Sequence, residues 1–337
     1  MRSAGSRSVE GASRTRRRVT RIAPAVVALG LACLLGAVID AGAARTPPCF
    51  GAAARDPENP CVNHQLTFTA IPSPYDAPLE PSARCEPIEH AQPAACAFGP
   101  PRSDAVSSVA LLGDSHAAAW RAAVEVVARA NRWHGVSINR NNCPFTFART
   151  PGRGRCKGWS GGVRRWLRRH PEVHEVIVGA NSGSGVVAAN GHTQRRTKIE
   201  GYIDAWKSLP RSVHHIYVLR DAPHGRNTTP DCVARAVAHR RNPALRCARP
   251  RGSALLTDEA ALAAERTDSA RVDLIDLSDF MCDATDCFPV VGGALVIKDV
   301  GHLTRTFART LGPFLARAIA RLQAQQPPQA APPAALD

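Results

Sequence analysis

The chain has 337 residues, with 43 Lys and Arg against 28 Asp and Glu, a formal net charge of +15. That length holds one large domain or two small ones. A basic surface attracts polyanions of any kind, but no nucleic-acid-binding motif or aromatic stacking platform accompanies the charge, so the composition argues against a nucleic-acid partner and leaves an anionic cell envelope.

The N-terminal residues 1–45 carry eight Arg against Glu10 and Asp40, so 46–337 keep a net +9. Arg14, Arg16, Arg17, Arg18 and Arg21 precede an apolar stretch from Ile22 to Ile39. A positive flank before an apolar run keeps the tail cytoplasmic and exports the rest of the chain. About eighteen residues is marginal for a membrane span and long for the apolar region of a signal sequence. "AGAA" at 41–44 offers a cleavage site, so both an uncleaved anchor and a cleaved signal stay open. Cys33 sits mid-run after Gly30-Leu31-Ala32, a poor lipidation site.

Residues 46–104 are rich in Pro, Ala and Cys, and "IPSPYDAPLEPSARCEP" cannot be a long helix or a central strand, because its prolines fix φ and remove donors. A loop-rich, disulfide-stapled lead-in is expected there. From residue 105 apolar runs alternate with amphipathic stretches. Strands are expected at Val106–Leu112, Gly135–Asn139, Val173–Ala180, Val213–Arg220, Val272–Leu277 and Ala294–Lys298. Helices are expected at Ala117–Asn131, Gly161–Arg169, Gln194–Ser208, Ser253–Arg266 and Leu303–Gln325. The last has apolar residues at helical spacing: Leu303, Phe307, Leu311, Phe314, Leu315 and Ile319. Strands alternating with helices predict a three-layer α/β/α sandwich around a parallel sheet over 105–325. Residues 326–337, Pro- and Ala-rich, read as a disordered tail.

Eleven cysteines need a role. With Cys33 set aside, ten remain, an even count that in an exported chain reads as disulfides. They fall in local couples, which predicts Cys49–Cys61, Cys85–Cys96, Cys143–Cys156, Cys232–Cys247 and Cys282–Cys287; the connectivity of the first four is the least constrained. No C-x-x-C and no couple joined by histidines at zinc spacing is present, so no metal or other cofactor is called for.

In a parallel sheet, ligands gather at the carboxyl ends of the strands. The first predicted strand ends in Gly113-Asp114-Ser115-His116, the third in Gly179-Ala180-Asn181-Ser182-Gly183, the fourth in Arg220-Asp221-Ala222-Pro223-His224. A serine hydroxyl is a weak nucleophile until a base takes its proton, and the base needs an acid to orient it. Asp299 and His302, three apart in "KDVGHLT", supply base and orienter in one segment that runs into the final helix, with Gly301 permitting a tight bend. Ser115 N–H and the Asn181 amide are candidate oxyanion donors. The bland readings are Ser115 as a helix cap, Asn181 as a turn residue, Asp114 and His116 as structural members of the turn, Ser182 and Ser184 as parts of a flexible glycine loop, and Trp120 and Trp159 as packing. Asp221 and His224 are candidate substrate contacts.

These residues resemble the SGNH (GDSL-like) hydrolase superfamily, closest to the SGNH domain found at the C-terminus of acyltransferase-3 type membrane acyltransferases. "GDSH" followed by Trp120, Cys143-Pro144 after the second strand, Asp231-Cys232, and the Asp299-to-Thr304 ending carry the resemblance, as does "CFGAAARDPENPC". It implies a flavodoxin-like fold, Ser115 as nucleophile, His302 as base, Asp299 as its orienter and Asn181 as oxyanion donor. Ser182 stands where the family usually has Asp, and no glycine after the second strand matches the family's second donor, though Asn141 or Asn142 stands in that loop. With one membrane span at most, the acyl donor would come from a separate membrane acyltransferase partner, or the protein is a plain esterase. The expected function is an extracytoplasmic serine O-acyl esterase or O-acyltransferase, acetyl above all, acting on an envelope or extracellular glycan. The alternatives are a non-catalytic envelope module that binds glycan or an acyltransferase partner, and a lipase or thioesterase with a wide apolar channel. Arg153–Arg155 and Arg164–Arg169 favour a polar or anionic substrate over the last.

Overall fold

The computed structural model describes residues 46–325 except Arg153. The basic tail, the apolar stretch with Cys33 and the Pro/Ala tail lie outside the described residues. Seven strands form one sheet: β1 (Glu86–Pro87), β2 (Cys96–Phe98), β3 (Ser107–Gly113), β4 (Trp133–Asn139), β5 (Val173–Gly179), β6 (His215–Leu219) and β7 (Val272–Ile275), in the order β1-β2-β4-β3-β5-β6-β7. From β4 across to β7 every pairing is parallel. The antiparallel β1 and β2 come from the lead-in and close the β4 edge.

Period-two alternation along the strands feeds two cores. Val109, Leu111, Ile177, Tyr217 and Leu219 face α1 (Ser115–Ala130) and the long final helix. Ala110, Leu112, Val176, Val178, Ile216 and Val218 face α2 (Trp159–Arg169), α3 (Gln194–Lys207) and α5 (Glu259–Arg266). The final helix, α6, spans Arg305–Gln325. Such two-sided burial is what covers a parallel sheet with helices. Truncating a fully buried residue such as Leu111 to Ala costs about 2–5 kcal/mol on this basis. Trp120 and Trp159 are buried in these cores and serve packing.

All ten cysteines join in the five expected couples. Three elements differ from expectation. A helix, α4 (Thr229–Ala238), forms where no element was expected; Pro230 sits in its first turn, where its missing N–H costs nothing. The segment expected as one helix over Ser253–Arg266 is two pieces, Arg251–Ala254 and α5, because Asp258 caps α5 through the N–H groups of Ala260 and Ala261. Ala294–Lys298 does not join the main sheet: Ala294–Leu295 pairs with Val290–Val291 in a hairpin turned by Gly292-Gly293, both at positive φ.

Candidate functional site

The site forms at the carboxyl end of β3. Gly113 ends that strand at φ 141°, and a Cβ there would run into the Gly179 carbonyl of β5. Asp114, buried beside it, caps α1: one carboxylate oxygen accepts the His116 N–H at 2.9 Å and the other the Asn181 N–H at 2.9 Å. Burial outweighs these bonds and pushes the Asp114 carboxyl up. The cap is thus Asp114 and not Ser115. That leaves the Ser115 hydroxyl for another partner, and puts its N–H at the first position of α1, where no intrahelical acceptor exists.

The partner is His302. Its Nε2 lies 2.8 Å from Ser115 Oγ, and its Nδ1 lies 2.8 Å from an Asp299 oxygen. With Nδ1–H donating to the carboxylate, Nε2 is left to accept the serine proton. The segment builds this pair locally. Asp299 takes the N–H groups of Gly301 (2.9 Å) and His302 (2.8 Å) on its other oxygen, and an Ile297–Leu303 bridge closes the loop. Burial alone would raise the Asp299 pKa. The His302 hydrogen bond and the two backbone N–H groups override it and hold the carboxyl well below the usual carboxylate range. His302 does not open the final helix, which begins at Arg305. Gly301 is at ordinary φ; it is glycine because a Cβ would stand 2.8 Å from His116 Cε1.

Behind the loop lies a second polar cluster. His116 Nδ1 donates to Asp221 at 2.7 Å, and the His116 ring centroid is 4.6 Å from that of His302. Asp221, 5 % exposed, also accepts from Ala222 N (2.9 Å), Ser182 N (2.8 Å), Ser182 Oγ (2.8 Å) and His224 Nε2 (3.1 Å). Burial opposes its charge, but these donors hold it ionised far below the usual range. Burial alone would lower His116; the Asp221 bond and the nearby Asp114 and Asp299 carboxylates raise it instead. His116, Asp221 and His224 are the one metal-type cluster among the described residues. With both Asp221 oxygens taken up by protein donors, the cluster is a hydrogen-bonded brace, not a metal cage. Ser182 is therefore a buried member of this brace and not part of a flexible loop, and Asp221 is too buried to be a substrate contact.

Asn181 sits at the carboxyl end of β5. Its Oδ1 accepts the Gly183 N–H at 2.8 Å, which assigns its NH2 as the group left to donate. Asn141 and Asn142 lie exposed in the turn closed by Cys143 N–H on Arg140 O (2.9 Å). The brace was foreshadowed by the polar strand exit "RDAPH" and the His of "GDSH", but its long-range pairing was not.

A family model described as "SGNH domain (fused to AT3 domains)" matches residues 84–317. Among solved structures, the chain is similar to the "lipopolysaccharide acetyltransferase periplasmic domain" of Salmonella ser. Paratyphi A, at 14% identity and a TM-score of 0.47, over 64% of this chain and 85% of that one. No curated protein sequence matches. No helix among the described residues is long and apolar enough to cross a membrane, and five disulfides mark an oxidising compartment. The matched region covers most of the chain, and the chain belongs to the SGNH domain family.

Proposed function

We propose that the protein is an extracytoplasmic serine O-acyl esterase or O-acyltransferase that handles acetyl groups on an envelope or extracellular glycan. One observation carries the reading: the unbroken hydrogen-bonded line Ser115–His302–Asp299, with both links at 2.8 Å. In this mechanism Ser115 Oγ attacks the ester carbonyl as its proton passes to His302 Nε2. The imidazolium is stabilised by Asp299, and the oxyanion accepts from Ser115 N–H and the Asn181 NH2. His302 returns the proton to the leaving alcohol, which departs and leaves acetyl on Ser115. Water or a sugar hydroxyl then gives its proton to His302, attacks the acyl carbonyl, and regenerates the serine. A membrane acyltransferase partner would be the source of acetyl in the transfer mode.

The site is open, with the His302 and Asp299 side chains 30% and 44% exposed. An open site suits a polymer better than the buried channel of a lipase. The experiment is mass spectrometry of the intact protein and of its proteolytic peptides after brief exposure to an activated acetyl ester. One acetyl group on the peptide carrying Ser115, absent from Ser115→Ala, is the expected result. Acetylation spread over lysines and unchanged in the variant would overturn the assignment.

A further inference from the structure

A groove of about 480 Å³ opens at the carboxyl end of β4. The 92–94 loop forms one wall, Asn139 and Arg140 the head, and α2 the other wall. Its charge has one sign: Arg140, Lys157, Arg165 and Arg169 line it and no carboxylate does. The bond of Arg169 Nη2 to the Gln92 carbonyl, at 3.4 Å, leaves all four charges without a counter-ion among the described residues. Two other open grooves of similar size differ. One, of about 550 Å³, sets Arg55 and Arg251 among Asp56, Asp279 and Asp283. The other, of about 460 Å³, includes Glu200, which pairs with Arg196.

Like charges held together repel unless an anion joins them. Arg165 and Arg169 stand four apart on α2 and so share one face; guanidinium groups bind carboxylate and phosphate in a bidentate fork. The floor supports the same reading. Gly162 lies within α2, where glycine costs about 1 kcal/mol relative to alanine. Packing does not require it: a Cβ would meet Pro93 Cδ at 3.5 Å and Arg165 Nη2 at 3.9 Å, both ordinary contacts. What the missing side chain does is keep the groove floor low.

The groove lies at the strand end next to the one that presents the serine: Asn139, in its lining, pairs with Gly113. Arg140 N–H donates to Gly113 O at 3.0 Å, two residues before Ser115. A second cavity, of about 640 Å³, shares Lys157 and Gly158 with the groove and again has no carboxylate in its lining. The two together make a basic track beside the strand end that presents the nucleophile. Trp159, the one aromatic of the groove, is 5% exposed and offers no face to a nucleobase; Phe147, the one aromatic lining the second cavity, already carries the Arg164 guanidinium over its ring at 5.7 Å.

We infer that this track binds the acidic sugars of the substrate glycan, carboxylate- or phosphate-bearing units that hold the chain while one of its O-acyl or hydroxyl positions reaches Ser115. The inference rests on the proposed function for the glycan, and on the groove alone for the charge. The test is equilibrium binding of the full-length protein to three oligosaccharide probes: oligogalacturonate, a glycerol-phosphate oligomer and a neutral malto-oligosaccharide. At least one anionic probe binds tenfold or more tightly than the neutral one, and its affinity falls as salt rises. The double variant Arg165→Glu/Arg169→Glu, changed at two exposed residues, loses at least tenfold of that affinity with its melting temperature held. Lys157→Gln, just ahead of α2, weakens the same probe. Which anionic probe wins tells carboxylate from phosphate. Equal affinity for the neutral probe, or a charge reversal without effect, would overturn the inference, as would tighter binding of a single-stranded oligonucleotide. Wild-type acetate release is measured in parallel. Binding without turnover would reject the enzyme reading and leave the track standing.

Discussion

Gly301→Ala is a methyl group placed against the brace. Its Cβ would lie 2.8 Å from His116 Cε1, whereas carbon atoms pack at about 3.5–4.0 Å. Something must move by roughly 0.7 Å or more. His116 cannot: it is 4% exposed, and its Nδ1 is tied at 2.7 Å to Asp221, which four further hydrogen bonds hold in place. The 297–303 loop moves instead, and it carries both Asp299 and His302. Added to the 2.8 Å link from His302 Nε2 to Ser115 Oγ, that shift gives about 3.5 Å, beyond a working hydrogen bond. A displacement near 1 Å costs on the order of a hundredfold in rate, and the overpacking costs about 1–3 kcal/mol of stability. The assay is kcat/KM for acetate release from an activated acetyl ester, with thermal melting alongside. Gly252→Ala, where a Cβ meets nothing within 4 Å, is the matched control and keeps wild-type values. A Gly301→Ala protein with wild-type kcat/KM and melting temperature would refute the claim that the brace sets the position of the base.

Asp299→Asn leaves the loop shape but favours the wrong tautomer of His302, so kcat falls by about 10³–10⁴; steady-state kinetics showing less than a tenfold loss would remove Asp299 as orienter. Asp221→Ala strips the brace of its anion and destabilises the fold by about 3–5 kcal/mol, read by urea unfolding at neutral pH. Because the Asp221 carboxyl is held below the usual range, its stabilisation is present above ordinary carboxylate pH and lost as pH falls through its folded value; the variant therefore shows a flatter acid limb. Glu175, buried on β5, has its pKa raised from 4.5 to about 7 by burial, against the smaller lowering effect of the neighbouring Tyr217 hydroxyl. Its contribution is fully present below pH 4.5 and lost as pH rises through about 7, a swing of about 3 kcal/mol. Glu175→Gln should thus gain stability over wild type at pH 8 and differ little at pH 4, which denaturation at the two pH values measures.

What could be read from the sequence was whatever is local. Parallel strands flanked by helices, cysteines in short-loop couples, and Asp299 with His302 three residues apart are all short-range patterns, and they formed as expected. What escaped reading was what depends on partners far along the chain. Asp221 joins His116 and Ser182 across 105 and 39 residues, and only the sheet brings them together. The reason for Gly301 lay in His116 rather than in its own φ. β2 was hidden because three residues between a disulfide and a proline-rich loop gain their strand character from β4. The Gly292-Gly293 hairpin, by contrast, carried a readable turn signal between apolar pairs. α4 also carried a signal that went unread, a proline placed where it marks a first turn.

The central claim is that Ser115 is a nucleophile driven by His302. Its most direct test is the rate of acetate release from an activated acetyl ester by the oxidised full-length protein and by Ser115→Ala. Turnover by wild type is predicted, with a rate for the variant no higher than the uncatalysed background. Equal rates for the two proteins would contradict it.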